Sequence, residues 1–508
     1  MKTHALLTAV VLFGNCLMQS AEPNQSGPLK VITASWLGGA GEEQIVGVDV
    51  REDLSIVFAV NAVELKLGPS PVLLGEAVAA PTAAKPTDPK KPSKPGKSTA
   101  DPNLAGHLVR LSPDGQKVLG IARFPAGAAT LRKLKCDSGG NLFLLGDAPG
   151  TLKLAGVTGS GRFLALLAPD ASRVRMAMFV AGAQDFAVDI NGEVVVLTKG
   201  HLTRYTSDGK QKWDVTWPSH GDNRPGGMTL SPTTGIAAVT GYGMTHTGKE
   251  PYKAPYGYGF SRDGKPLWSI WNPDPKLLVD RKYGGNGLMA DTTGHFAGTD
   301  AAGKIYFSLF ADGGNSVCTR DPKSVNDKLD PAVFDGVFQK SPGFGFKGAS
   351  KTAVLFRINP LDGRLEKGTW MSAWLKPQRA NGLGMEAVAG DAKGRTFVVG
   401  NSAFGCPSQN PWFAGVEGGY RGGGFLAVLD DAFKMQQCGY FQGTSVECVG
   451  YRNGTLVIGG TAVKESVSQD KSDPTSIPVT VPTPVFKPLQ GTFGGGNKDA
   501  WFAVFKVD

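Results

Sequence analysis

Gly and Pro supply 70 and 34 of the 508 residues. Both interrupt helices and both serve turns, so a helical architecture is excluded and β-structure favoured. At ~150 residues per domain the length suggests about three domains, although all-β folds often run longer as one unit. The net charge of +9 fits either acidic partners or a solvated surface with a basic bias, and lysines in a linker-like stretch at 85–97 inflate it.

Residues 1–21 combine Lys2, an apolar stretch at 5–13 and the small pair Ser20-Ala21. This is the layout of a secretory signal peptide and is too short for a spanning helix. Cys16 follows Phe-Gly-Asn, which fits a lipobox poorly. No later stretch is long and apolar enough to cross a membrane. The expectation is export, to the periplasm, cell surface or medium, of a soluble chain in which 22–508 form one domain.

The organising unit is YTSDGKQKWDVTWP at 205–218, echoed by FSRDGKPLWSIWNP at 260–273, with Trp268 in the place of Trp213. Each copy reads as strand, Asp-Gly turn and Trp-bearing strand, and such repeats mean stacked supersecondary units. Labelling strands a to d from the inside outward, the first unit is IVGVDV, LSIVFAV, HLVRLSPDG and KVLGIARF. Similar sets follow for units two to six, the fifth being the least regular. The seventh has SVECVGYRNGTLVIGGT and AWFAVFKVD but no d strand. VITASWL at 31–37 is a d strand without a unit, with Trp36 echoing Trp213 and Trp268. Pairing the two ends closes a ring and removes an open sheet edge. The fold class is therefore all-β: a seven-bladed β-propeller of four-stranded antiparallel blades, closed by the N-terminal strand.

LGGAGEEQIVGVDVREDLSIVFAV (37–60) and GGGNKDAWFAVFKVD (494–508) resemble the seven-bladed β-propeller repeat family of bacterial exported proteins. The copies around Trp213 and Trp268 are similar, more weakly, to the Asp-Gly-Lys-x-x-Trp repeats of quinoprotein propellers. The resemblance implies the fold and leaves activity open.

Tight turns join a to b and c to d, so the long connections all leave from one face, where function grows on a rigid scaffold. Residues 79–103 are Pro/Lys-rich and read as a disordered or polyproline-like insertion, and 466–488 as a Pro/Thr-rich extended loop. The segment 312–348 is long enough to fold over the ring's mouth. Arg224, Arg281 and Arg379 each precede an inner strand in similar contexts. They can converge as an anion-binding mouth, since guanidinium forks suit carboxylate, sulfate or phosphate; the alternative is that each braces a neighbouring blade. His220 and His246 lie on the same face, but a metal pair lacks the third and fourth ligands. Asp49, Asp137, Asp189, Asp300 and Asp391 recur before turns and read as turn caps.

Cys318 and Cys406 lie in insertions of adjacent blades, where an exported protein can bridge them; Cys438 and Cys448 allow a bridge or simple burial. No nucleophile elbow, phosphate loop, metal motif or cofactor motif is evident, and no catalytic residue is assigned. The reading is a monomeric binding scaffold whose decorated face engages a protein or an anionic glycan, with no nucleic-acid partner. The alternative is a propeller enzyme, a quinoprotein-like dehydrogenase or a polysaccharide lyase or hydrolase, working at the channel mouth.

Overall fold

The computed structural model describes residues 22–78, 101–247, 250–274, 292–312, 317–335, 351–376, 379–402, 408–413, 422–468 and 479–508. The leader at 1–21, most of the 79–103 insertion, Arg281 and Cys406 lie outside them, as does 469–478 within the 466–488 loop.

Seven antiparallel sheets of four main strands form the ring. In order a to d, blade 1 is Gln44–Val50, Ile56–Ala62, Ala105–Leu111 and Val118–Arg123. Blade 2 is Thr130–Cys136, Leu142–Leu154, Val157–Leu167 and Val174–Phe179. Blade 3 is Asp185–Val188, Val194–Thr198, His201–Tyr205 and Gln211–Thr216. Blade 4 is Asp222–Leu230, Ala237–Thr247, Glu250–Phe260 and Pro266–Trp271. Blade 5 is Thr292–Thr299, Ile305–Asp312, Lys351–Ile358 and Leu365–Met371. Blade 6 is Leu383–Gly390, Thr396–Ser402, Gly423–Leu429 and Met435–Gln442. Blade 7 is Thr444–Arg452, Thr455–Ala462, Asp499–Val507 and, from the other end of the chain, Leu29–Trp36. Leu29 faces Val507 and Trp36 faces Trp501, so the ring closes as the missing d strand predicts.

Strand b carries the densest apolar runs because both its faces are covered by neighbouring blades. Ile56–Val60 is wholly buried, and Phe58 meets Phe502 of blade 7 with ring centroids 5.0 Å apart. The outer Trp residues are placed differently from a simple filling between sheets. Trp213 lies over the c–d turn of the next blade, and its indole N–H donates to the Arg262 carbonyl at 2.8 Å. Trp268 repeats this on blade 5, donating to the Pro360 carbonyl at 2.7 Å. The turn glycines make this approach possible. A Cβ on Gly363 (φ 73°) would stand 2.8 Å from the Trp268 ring, and one on Gly264 3.0 Å from Trp213. Trp36 is not their equivalent: Thr33 meets the corresponding Gly115, while Trp36 sits at the other end of its strand against Phe493.

Turn aspartates behave as expected at four of five positions. Asp137, Asp189, Asp300 and Asp391 each accept the backbone N–H four residues on, at 2.8–3.0 Å. Asp49 differs, because it lies inside strand a and accepts the Cys136 N–H of blade 2 at 2.8 Å. Asp185 repeats that brace with Met228 N–H of blade 4 at 3.0 Å. Arg204, wholly buried, ties Asp189 and Glu193 together within blade 3 and reaches the Gly235 carbonyl of blade 4.

The long connections leave from one face, as expected, but their described parts turn outward. In blade 1, Val72–Leu73 lies parallel to strand d, and Glu76–Ala77 continues onto blade 2. In blades 6 and 7, Gln409 bridges Cys438 and Phe486 bridges Ala34, again on strand d. In blade 5, residues 317–335 bury Val317, Cys318 and Val333 in the cluster containing Trp370, a strand-d residue. That segment therefore packs on the outside of its blade rather than over the mouth. Each insertion covers the edge that a four-stranded blade leaves unpaired, which is how sheets avoid edge-to-edge association. Blades 2 and 4 instead extend strands b and c as paired arms, to Leu154–Val157 and Thr247–Glu250.

Candidate functional site

Strand a of each blade lines the central channel, and six of the seven carry a β-bulge near the decorated end. The extra residues are Val46, Arg132, Gly226, His295, Glu386 and Glu447 in blades 1, 2, 4, 5, 6 and 7. A bulge re-aims a side chain that regular pleating would send elsewhere. Here it gathers unlike charges around one opening. A cleft of about 600 Å³ at this end is lined by Gln44, Arg132, Asp147, Glu386, Asn401 and Glu447 among others. It leads into a channel of about 670 Å³ bounded by all seven inner strands.

Two asparagines hold the bulges in place. Asn61, ending strand b of blade 1, accepts Leu131 N–H at 2.7 Å and donates to the Leu131 carbonyl at 2.8 Å. Asn401 does the same to Val446 of blade 7, at 2.9 and 3.3 Å. Leu131 and Val446 immediately precede Arg132 and Glu447, so each clamp fixes one charged group of the mouth.

On one side the charges are paired. Asp147 holds Arg132 and, at 2.5 Å, Arg162. Lys133 pairs with Asp185, and burial holds its ammonium below the ordinary lysine range against that carboxylate's pull. The opposite side is acidic. Glu386 meets His295 Nε2 at 3.0 Å, with Phe310 against the imidazole at 4.4 Å between centroids. Glu447 accepts from Gln44 Nε2 at 2.7 Å and Ser445 Oγ at 3.2 Å. Burial above all, then the nearby Glu386 charge, pushes the Glu447 carboxyl up despite those two donors. Among the described residues neither glutamate meets a Lys or Arg at ion-pair distance.

The residues singled out in the sequence fall elsewhere. Arg224 stands half-exposed on strand a of blade 4, paired with Asp222 at 3.0 Å. Arg281 lies outside the described residues, and of Arg379 only the backbone, in the short strand Arg379–Asn381, is described. His220 is partly buried just before blade 4, and His246 lies on an arm of that blade facing Pro251 in register. Cys318 is buried, and its proposed partner Cys406 is outside the described residues. Cys438 and Cys448 are both buried, on an outermost and an innermost strand. Among the described residues no group of three or more potential metal ligands occurs, and no helix is long and apolar enough to cross a membrane.

A spacing in the sequence does mark the mouth. Arg132, His295 and Glu386 each stand five residues before a turn aspartate (137 − 132, 300 − 295, 391 − 386). Val46 and Glu447 stand five before Arg51 and Arg452, which take the aspartate's place (51 − 46, 452 − 447).

No protein-family model and no curated protein matches the chain. Among solved structures, the WD40 domain of Neurospora crassa Pan2 is similar with a TM-score of 0.36 and 10% identity, over 75% of this chain and 90% of that one. BamB from Moraxella catarrhalis gives 0.34 and 10%, over 80% and 94%. The β-propeller domain of the Trilobed protease from Pyrococcus furiosus gives 0.39 and 6%, over 87% and 93%. Likenesses this distant leave function to the chain's own residues. What its strands establish is a seven-bladed β-propeller closed by its own N-terminal strand.

Proposed function

We propose that this chain is an exported, non-catalytic binding scaffold that takes a partner protein on its decorated face, anchored at the channel mouth. One observation carries the reading: bulges in inner strands of separate blades bring Arg132, Glu386 and Glu447 to one polar cleft, with His295, itself at a bulge, against Glu386. Arg132 and Lys133 are each already paired with an aspartate, Asp147 and Asp185, whereas among the described residues Glu386 and Glu447 have no Lys or Arg at ion-pair distance. That balance favours a basic side chain of a protein over an acidic polysaccharide, which would need free cations. An anionic ligand at Arg224, Arg281, Arg379, His220 and His246 stays a separate proposal.

Photo-crosslinkers at Arg132 and at Val157, exposed on the blade 2 arm, are expected to capture a partner in the producing cell. Crosslinkers at Ile190 and Leu361, exposed on the turns of the opposite face, are expected to stay silent. Glu386→Lys with Glu447→Lys should weaken the captured complex at least about tenfold, or ~1.4 kcal/mol. Capture only from Ile190 or Leu361, or a captured complex that those two changes leave unweakened, overturns the reading.

A second reading follows from the same pair of carboxyls. Two acids in one cleft, one of them pushed up, is the division of labour that glycoside hydrolysis uses. Turnover of a polysaccharide that disappears in both Glu386→Gln and Glu447→Gln would make the chain an enzyme.

A further inference from the structure

The ring closes where the loop before blade 1 meets the loop that ends blade 7's insertion, and two acids are sealed between them. Glu43 is 1% exposed and Asp499 is 0% exposed. Glu43 Oε1 accepts Gly41 N–H at 3.2 Å, and Asp499 Oδ2 accepts Gly494 N–H at 2.5 Å. Their remaining oxygens, Glu43 Oε2 and Asp499 Oδ1, have no hydrogen-bond partner among the described residues, and the two carboxyls lie against consecutive glycines: a Cβ on Gly38 would stand 2.6 Å from Asp499 Cγ and one on Gly39 3.3 Å from Glu43 Oε1. The backbones around them touch. A Cβ on Gly494 would stand 2.1 Å from the Gly39 carbonyl oxygen, and one on Gly496 2.2 Å from that of Gly41.

The packed segments offer no neutralising charge. Glu42 is engaged by Asn497 Nδ2 at 2.7 Å, and Lys498 contributes its carbonyl, which accepts Glu43 N–H at 3.2 Å. Glu64 lies with its carbonyl against Gly39, and Lys66 follows it on the same segment. Among the described residues no lysine, arginine or histidine forms an ion pair with Glu43 or Asp499, so two carboxylates here would repel inside a sealed contact.

We propose that Glu43 and Asp499 share one proton, and that this proton latches the N-terminal loop to the C-terminal strand, so that ring closure loosens as pH rises. A carboxylic acid donating to a carboxylate satisfies both orphan oxygens and leaves a single buried negative charge, held by the Gly41 and Gly494 amides. Burial, reinforced by the Asp499 neighbour, raises the Glu43 carboxyl to about 8, and burial raises Asp499 as well. The pair titrates as a unit. Between an unfolded value near 4.5 and about 8, the folded chain holds one proton more than the unfolded chain. Stability from this pair is thus present at acid pH and is lost as pH rises through that window.

The test is the denaturation midpoint and the unfolding constant of the full chain between pH 5 and 9, for wild type, Glu43→Gln and Asp499→Asn. The wild-type unfolding constant should carry a component rising up to about tenfold per pH unit until pH 8. Either amide variant keeps a donor between the two groups and should lack that component, overtaking wild type in stability at pH 8. A protonated-carboxyl infrared band should persist in folded wild type at pH 7 and vanish in both variants. Should one variant fail to fold, the other and the wild-type band still decide. Parallel pH profiles for all three proteins, or no such band at pH 7, overturn the proposal. So does a midpoint that millimolar Ca²⁺ raises at pH 8 in wild type but not in Glu43→Gln, since a cation would then fill the space assigned to the proton.

Discussion

The contact between Trp268 and the next blade's turn gives a quantitative test of how the blades are joined. Gly363 holds φ 73°, and a Cβ there would come within 2.8–2.9 Å of three Trp268 ring atoms. Gly363→Ala should therefore incur two costs: about 1–2 kcal/mol for a left-handed alanine and about 1–3 kcal/mol for overpacking against the indole. Gly182 separates them, because it has the same φ of 73° with nothing within 4 Å of its Cβ position. Gly182→Ala should lose only the first term. Trp268→Ala removes a ring that is 7% exposed and its hydrogen bond to the Pro360 carbonyl, at a cost of about 3–5 kcal/mol. In the double variant the alanine methyl enters space the indole has left. The combined loss should therefore fall short of the sum by about 1–3 kcal/mol, a coupling that only groups in contact show. Urea titration followed by circular dichroism measures all four proteins without relying on tryptophan emission. Equal losses for Gly363→Ala and Gly182→Ala, or strict additivity with Trp268→Ala, would show that the indole does not seat on this turn.

Two further outcomes follow from buried groups. His107 is 2% exposed in strand c of blade 1, and burial first, then the Arg123 charge, lowers its pKa to about 4. The unfolded chain takes up that proton near pH 6.5 and the folded chain does not, so stability should fall as pH drops from 6.5 towards 4. The loss should reach about 3 kcal/mol and be absent in His107→Gln, and equal acid slopes for the two proteins would refute it. Cys318, Cys438 and Cys448 should be silent to a thiol reagent at pH 8 in the folded chain, because burial pushes Cys318 up to about 12 and raises Cys448 too. Counting thiols after unfolding without reductant decides the Cys318–Cys406 bridge, since a bridged protein gives two fewer.

The parts of this fold legible in its sequence are those that local chemistry specifies. Asp208-Gly209, Asp263-Gly264 and Asp362-Gly363 announce c–d turns because each needs a residue at positive φ after a short polar cap. The unpaired VITASWL segment and the three-stranded end of the chain imply each other, since neither satisfies its backbone alone. Asp49 shows where such reading stops. It resembles the turn aspartates by residue type, yet its partner is Cys136 N–H of the next blade, 87 residues away. The arms of blades 2 and 4 were hidden for a related reason. Their sequences, APGTLKLAGVTGSG in blade 2 among them, are rich in Gly and Pro and read as loops, but long pairing across them overrides local propensity.

The mouth escaped composition altogether, and the reason is geometric. Glu386 and Glu447 each interrupt an apolar inner strand, and a pleated register alone gives no cause for both to face the same opening. The bulge supplies that cause: by adding one residue before Ala387 and before Cys448 it turns the preceding glutamate out of the pleat and towards the axis. Asn401 then locks the second of these bulges from the adjoining blade. The chemistry of the face is set less by its long insertions, whose described parts seal blade edges, than by single extra residues in its most regular strands. Each is free to vary without disturbing the ring: the position holds Val46, Arg132, Gly226, His295, Glu386 and Glu447 in six blades of one chain. A repeat scaffold that keeps its b strands uniform and lets this one position differ separates the requirement to fold from the requirement to bind.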